Sequence, residues 1–271
     1  MAVLVFTLML FCPGNPAEII LGGTATEAEI AAKTEELGLN DPYLVRLGTY
    51  LSDVFLHGDL GASWSTNVDI MSTILERLPR TMILTIVTLF IAYGLGVPLG
   101  IIAATHQNRW QDTASMLVAL IGLAIPNFWL ALMLVLLFSV QLGWLPAMGI
   151  DNGIFSYILP AISGCMTAFA TCARQTRSSM LEVIRSDYIT TARSKGVPER
   201  QVIVKHALKN ALIPVITVVG MQIGMIMAGS VVVEAIFNIP GLGSLMMTAI
   251  NNKDYPVIQG SVLFISLFVS L

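Results

Sequence analysis

The chain has 271 residues, of which 55% are hydrophobic and 11% charged, and its formal net charge is −3. Soluble domains are about 45 to 50% apolar and about 25% charged, so this balance excludes an ordinary water-soluble globule and indicates a membrane protein. No hydrophilic block is large enough for a separate soluble catalytic domain, and four or more apolar stretches approach or exceed the roughly 20 residues of a spanning helix. The expected fold is therefore an all-α polytopic membrane protein.

Cys12, Cys165 and Cys172 sit in or beside apolar runs, form no C-x-x-C pair and read as small packing residues. Charge is distributed unevenly. Residues 13–76 carry ten Asp and Glu against two Lys and Arg, whereas 174–209 carries eight of the fourteen Lys and Arg against three acids. The two regions are expected on opposite sides of the membrane.

In chain order, the first apolar run, "MAVLVFTLMLF", is too short to span and reads as the second half of a helix that begins before Met1. "CPGNPAE" stops it. The polar segment that follows contains "TEAEIAAKTEELGL", a weakly amphipathic helix with Thr26 as N-cap and Gly38 as C-cap. Further spans are expected at 80–104, 113–138, 156–175 and 211–233, and a sixth begins near Val257 and continues past Leu271. Gly96 and Gly100, and again Gly220 and Gly224, form G-x-x-x-G pairs that permit close helix approach. Pro98 and Pro126 weaken the helical ladder. The implied division is 1–12 as a partial first span, 13–79 as an extracytoplasmic segment and 80–271 as a core with a cytoplasmic loop at 178–209. That sidedness follows from the positive-inside rule, which also makes "THQNRWQD" cytoplasmic and puts 139–155 and 234–256 outside.

The basic connection has signs of folding. Ser186 and Asp187 suit a helix N-terminus, cations fall in the last turn of "YITTARSK", and Gly196 fits the position just past the helix end, with Pro198 after it. Pro198 and Glu199 then open a second helix running toward the fifth span. So short a helix needs a packing partner. Tyr188, Ile189 and Ala192 give it a narrow apolar face, and Arg193 and Lys195 are poised for polar or acidic groups of a partner.

These residues carry a resemblance. "DYITTARSKGVPERQVIVKHALKNALIPVITV" resembles the cytoplasmic coupling loop, the EAA loop, of inner-membrane permeases of the peptide/nickel branch of ABC importers. "PGNPAE", "LGLNDP", "GDLGASW", "ERLPRT", "LGWLPAMG", "RQTRSSMLEV", "VVVEAIFNIPGLGSLM" and "DYPVIQG" follow in the family's order. Aligned on Gly196, Thr190, Thr191 and Ala192 stand where the general pattern has an acidic residue and two alanines, and Lys209 stands at its terminal proline, with the actual proline displaced to Pro214; this is similar to the branch's own variant.

The resemblance implies a type I ABC importer transmembrane domain of about six spans in a bacterial or archaeal inner membrane, surrounded by lipid. It implies as partners a second permease, usually a different chain, two cytoplasmic ATPase subunits and an extracytoplasmic substrate-binding protein, with no nucleic acid. Asp187, Tyr188, Ala192, Arg193, Lys195 and Gly196 are then the ATPase-docking residues, and "IPGLG" forms part of a scoop beneath the binding protein. Transport would proceed by alternating access, with a di- or oligopeptide as cargo and a nickel or other metal chelate as the alternative.

No G-K dipeptide occurs, so the chain holds no Walker A phosphate loop, and H-E-x-x-H, G-x-S-x-G and G-x-G-x-x-G are absent as well. His57, His106 and His206 are scattered. The chain is therefore not expected to be an enzyme or to hold a metal or cofactor; ATP and Mg belong to the ATPase partners. Polar groups near membrane depth are costly, which makes Asn127, Gln222, Met225 and Glu234 the candidates to line the pathway. For Glu234 an outer-interface position is the competing reading, and for the two amides a bond between neighbouring helices. Arg174 and Arg177 read as snorkelling anchors. A secondary transporter or channel would need ionisable groups within the spans, which are essentially free of them.

Overall fold

The computed structural model describes residues 2–10, 15–22 and 25–270. Cys12 and the first two residues of "PGNPAE" lie outside this set. The described residues are helical, with only an isolated antiparallel bridge between Ala62 and Asp69. In the first half lie α1 (Ala2–Leu10), α2 (Pro16–Leu21), α3 (Glu27–Glu36), α4 (Tyr43–Ser52), α5 (Ile70–Thr105), α6 (Trp110–Ala124) and α7 (Asn127–Leu134). The second half holds α8 (Ile158–Gly164), α9 (Met166–Ile184), α10 (Asp187–Ser194), α11 (Glu199–Gln201), α12 (Leu208–Ile236), α13 (Leu242–Asn251) and α14 (Tyr255–Ser270). Wide π turns extend α4 through Asp53–His57 and α7 through Val135–Gln141, and Val202–Ala207 joins α11 to α12.

Among the described residues, two helices are long and apolar enough to cross a bilayer unaided: α5, with 36 residues, and the continuous Glu199–Ile236, with 38. Two bent pairs meet the same test when each is taken as one span. Trp110–Ala124 and Asn127–Gln141 meet at 95°, and Gly153–Gly164 and Met166–Ile184 at 63°. The four expected central spans fall on these segments, but 113–138 is no straight rod. Pro126 has no N–H to continue the ladder and forces Ile125 to φ −83°, ψ 123°, so the helix breaks there and restarts with Leu130 N–H bonded to Pro126 O. The first and last apolar helices have 9 and 16 residues, less than a span requires.

The chain divides into two compact units. One takes the residues up to Thr81 together with Pro240–Ser270. Its core gathers Ile70, Ile74, Leu242, Ala249, Tyr255, Val257 and Ile258. Here α3 begins with the expected cap: Thr26 and Glu29 form a reciprocal capping box, which holds the Glu29 carboxyl below the usual carboxylate range. Gly38, at φ +61°, ends the helix. The buried Asp254 carboxylate fastens a distant loop, accepting from Ser63 Oγ at 2.6 Å, Ser65 Oγ at 2.7 Å and Trp64 N at 3.1 Å.

Sequence reading placed 234–256 in an outer loop and missed α13. Leu242, Leu245, Met246, Ala249 and Ile250 have the i, i+3, i+4, i+7, i+8 spacing of a helical face, a signal masked by the prolines and glycines just before it. Leu242 N–H at its start is bonded to Thr81 Oγ1 at 2.8 Å.

The other unit, Met82–Ile239, is built around α9, which packs on α6 and α12. The first G-x-x-x-G pair acts within the chain. A β-carbon on Gly96 would stand 2.9 Å from Cys172 Sγ, and one on Gly100 2.6 Å from Ala173 O, so these glycines let α5 lie against α9. Of the second pair, Gly220 faces open space. Cys165 and Cys172 are buried free thiols, in keeping with a packing role.

Candidate functional site

The basic connection folds as α10. Its C-terminus is a complete Schellman motif: Gly196, at φ +74°, donates to Arg193 O at 2.9 Å, and Val197 donates to Ala192 O at 3.3 Å. The Ser186 side chain makes no cap; its hydroxyl turns back to Val183 O at 2.6 Å. Ile189 is fully buried and Ala192 half-buried in a core with Ala104, Met180, Val202, Ala207 and Ala211. Asp187, Tyr188, Arg193, Lys195 and Gly196 are exposed around it.

Two of these placements differ from the sequence reading. Tyr188 is not part of the buried face: it stands in solvent, and its hydroxyl accepts from Asn210 Nδ2 at 2.7 Å, because only Ile189 and Ala192 turn inward over the ends of the long helices. Arg193 is already engaged within the chain. Its Nη2 and Nε reach the Glu199 carboxylate at 2.7 and 3.1 Å, which ties α10 to the start of the next helix. Arg177 likewise does more than snorkel, since it forms a bidentate pair with Asp112 in the first turn of α6.

A cavity of about 310 Å³ lies at the two helix breaks. Its wall takes Thr88 from α5, Asn127 from the restart after Pro126, Gly164 and Thr167 from either side of the second break, and Thr171 farther along α9. Gln222, Met225, Gly229 and Ser230 of α12 complete it. Broken helices are tolerated at membrane depth where they line a cavity, and they expose polar groups there. Three of the four pathway candidates, Asn127, Gln222 and Met225, thus converge on one space whose wall is mostly apolar, with Leu84, Pro160, Ile226 and Val233, and is dotted with hydroxyls and amides; among the described residues no ionisable side chain lines it. Glu234 does not line it. It is fully buried one turn beyond, accepting from Ser230 Oγ at 3.1 Å, while its backbone carbonyl receives Ile239 N–H in the turn that ends α12. Sequence reading passed over Thr88, Thr167, Thr171 and Ser230, because an isolated hydroxyl residue in an apolar helix carries no distinguishing pattern.

Two helices long enough to span, and two bent pairs around a cavity with hydroxyls and amides in a mostly apolar wall, fit a polytopic membrane protein. Residues 96–271 match the family described as binding-protein-dependent transport system inner membrane component, and residues 1–85 match its N-terminal region. The dipeptide transport system permease protein of Alkalihalophilus pseudofirmus is 45% identical, over all of this chain and 91% of that protein. The glutathione transport system permease protein of Salmonella typhimurium is 43% identical, over 98% and 86%. A crystal structure of an amino acid ABC transporter shares the fold, with a TM-score of 0.55 at 15% identity over 75% of this chain and 94% of that one. The chain belongs to the binding-protein-dependent transport system inner membrane component family and is a permease component of such an ABC importer.

Proposed function

We propose that the chain forms half of the translocation pathway for di- or oligopeptides and works by alternating access driven by partner ATPases. One observation carries this reading: α9 and α12 each run from the core beneath α10 to the cavity. Thirteen residues separate Met180 from Thr167, and eleven separate Ala211 from Gln222, or about 20 and 16 Å of helix. A displacement imposed on α10 would therefore reach the cavity wall along α9, unbroken between these residues, and along α12, which carries Pro214 in this stretch.

In this reading an ATPase subunit seats on Asp187, Tyr188, Ala192, Arg193, Lys195 and Gly196, and ATP and Mg are bound there and not by this chain. A second permease, a second ATPase and an extracytoplasmic binding protein complete the assembly in the lipid of a bacterial or archaeal cell membrane. The basic 178–209 loop faces the cytoplasm and the acidic 13–79 segment the outside, as positive charge in short loops dictates. Residues 80–271 form the permease core. Asn127, Gln222 and Met225 line the pathway, and Glu234 braces Ser230 from behind. The names of the relatives support peptide cargo over a metal chelate.

The test is reconstitution of the complex in proteoliposomes, with ATP hydrolysis measured on adding binding protein loaded with peptide or with nickel chelate. Stimulation by the peptide form is expected. Stimulation by the chelate alone reassigns the cargo, and transport that continues without ATP overturns the coupled mechanism.

A further inference from the structure

We propose that α4 and the π turn that continues it, Tyr43–His57, lie along the outer lipid–water interface as an amphipathic anchor, with Leu44 and Phe55 inserted among acyl chains. Leu44, Leu51 and Phe55 recur at i, i+7 and i+11 on one side of the helix. The opposite side is occupied. Arg46 donates to Leu39 O at 3.3 Å and sits over the Phe6 ring at 6.0 Å, and Tyr50 stacks on the same ring at 5.2 Å. Among the described residues little covers the apolar side: Leu51 is half-buried, but Leu44 is 76% exposed and Phe55 68%.

Continuity identifies the occupant. α4 rests on α1 through Phe6 and through Thr7 Oγ1, 2.8 Å from the Tyr43 hydroxyl. α1 itself leaves Val3, Leu4 and Leu8 exposed, an apolar surface suited to lipid, and α4 lies beside it. A water-soluble partner would have to present a matching apolar surface, whereas the acyl-chain boundary supplies one already. The polar side carries Asp53 and a single cation, Arg46, which is engaged with Leu39 and Phe6. Attachment is therefore hydrophobic and independent of anionic lipid. That the interface is the outer one rests on the proposed sidedness; the lipid contact does not.

The assembled complex in lipid nanodiscs provides the test, with single cysteines at Leu44, Phe55 or Thr49 in a variant whose three native cysteines are replaced by alanine. Each cysteine carries an environment-sensitive fluorophore. Shallow nitroxide lipids should quench the labels at 44 and 55 several-fold more than the label at 49, and aqueous iodide should show the reverse order. Neither result should change between neutral and anionic lipid or with added salt. Iodide quenching at 44 and 55 equal to that at 49 overturns the proposal. So does protection that appears only on adding loaded binding protein, which would assign the stripe to that protein. A reversed sidedness would leave the lipid quenching intact, so the two readings fail separately.

Discussion

The guanidinium of Arg177 grips the carboxylate of Asp112 through two parallel hydrogen bonds, Nε to Oδ1 at 2.6 Å and Nη2 to Oδ2 at 2.7 Å. The Asp112 side chain is only 7% exposed, and its Oδ2 also accepts from Asn108 N at 3.1 Å. Arg177→Ala would strand a buried charge. It should destabilise the detergent-solubilised protein by about 2 kcal/mol, below the range for fully buried pairs because Arg177 is 28% exposed. Adding Asp112→Ala should recover part of the loss, since the double variant leaves no unpaired carboxylate. Thermal unfolding monitored by dye binding reads both effects.

Helix contact through Gly100 is equally exposed to a small change. A β-carbon there would lie 2.6 Å from both Ala173 O and Thr176 Cβ, and a backbone carbonyl cannot rotate aside. Gly100→Ala should cost about 1 to 3 kcal/mol in the same assay. Gly220→Ala, which meets nothing within 4 Å, should stay within about 0.5 kcal/mol of the parent.

Removal of the Asp254 carboxylate deprives Ser63, Trp64 and Ser65 of their shared acceptor. Asp254→Ala should destabilise by about 2 kcal/mol or more and make the 58–69 loop a site of rapid limited proteolysis, whereas Asp254→Asn, which keeps an acceptor oxygen, should fall between. Equal cleavage of parent and alanine variant would contradict the fastening role.

On α10 the expected losses are of association, with the permease still inserted. Arg193→Glu places two carboxylates together and reverses the surface charge; Gly196→Pro cannot take the φ of +74° and removes the N–H that closes the helix on Arg193 O, so it unravels the end of α10. Both should abolish co-purification of the ATPase subunits while the permease remains inserted. Glu199→Gln breaks the same exposed pair without reversing Arg193, so it should change stability by less than about 1 kcal/mol and leave co-purification intact.

In the cavity, Gln222→Leu and Thr171→Val should each lower peptide transport several-fold in proteoliposomes, with ATPase subunits still bound. Transport at the parental rate in both variants would remove these side chains from the pathway.

Much of this arrangement could be read from residue order, and the reasons differ by element. The ends of α3 and the C-terminus of α10 were legible because Thr26, Gly38 and Gly196 meet backbone requirements that few other residues satisfy, whereas the part Glu29 plays in the capping box was not read. Span positions were legible because apolar length is nearly sufficient evidence in a bilayer. Pro126 announced a break but not its 95° size, which depends on what α7 packs against. Asn127 and Gln222 stood out as amides in oil, whereas Thr167 and Thr171 did not, because a threonine in an apolar helix looks the same whether it faces a neighbour or a cavity. Arg177 was visible as a cation, but its partner lies 65 residues away.

The fastening of α10 to its neighbours is threefold. Ile189 is deeply seated, the Tyr188 hydroxyl accepts from Asn210 Nδ2 at 2.7 Å, and Arg193 holds the Glu199 carboxylate at 2.7 Å. A plate pinned at one point can swivel, but one pinned at three cannot. Under the proposed docking, α10 would follow its load in rotation as well as in advance and retreat.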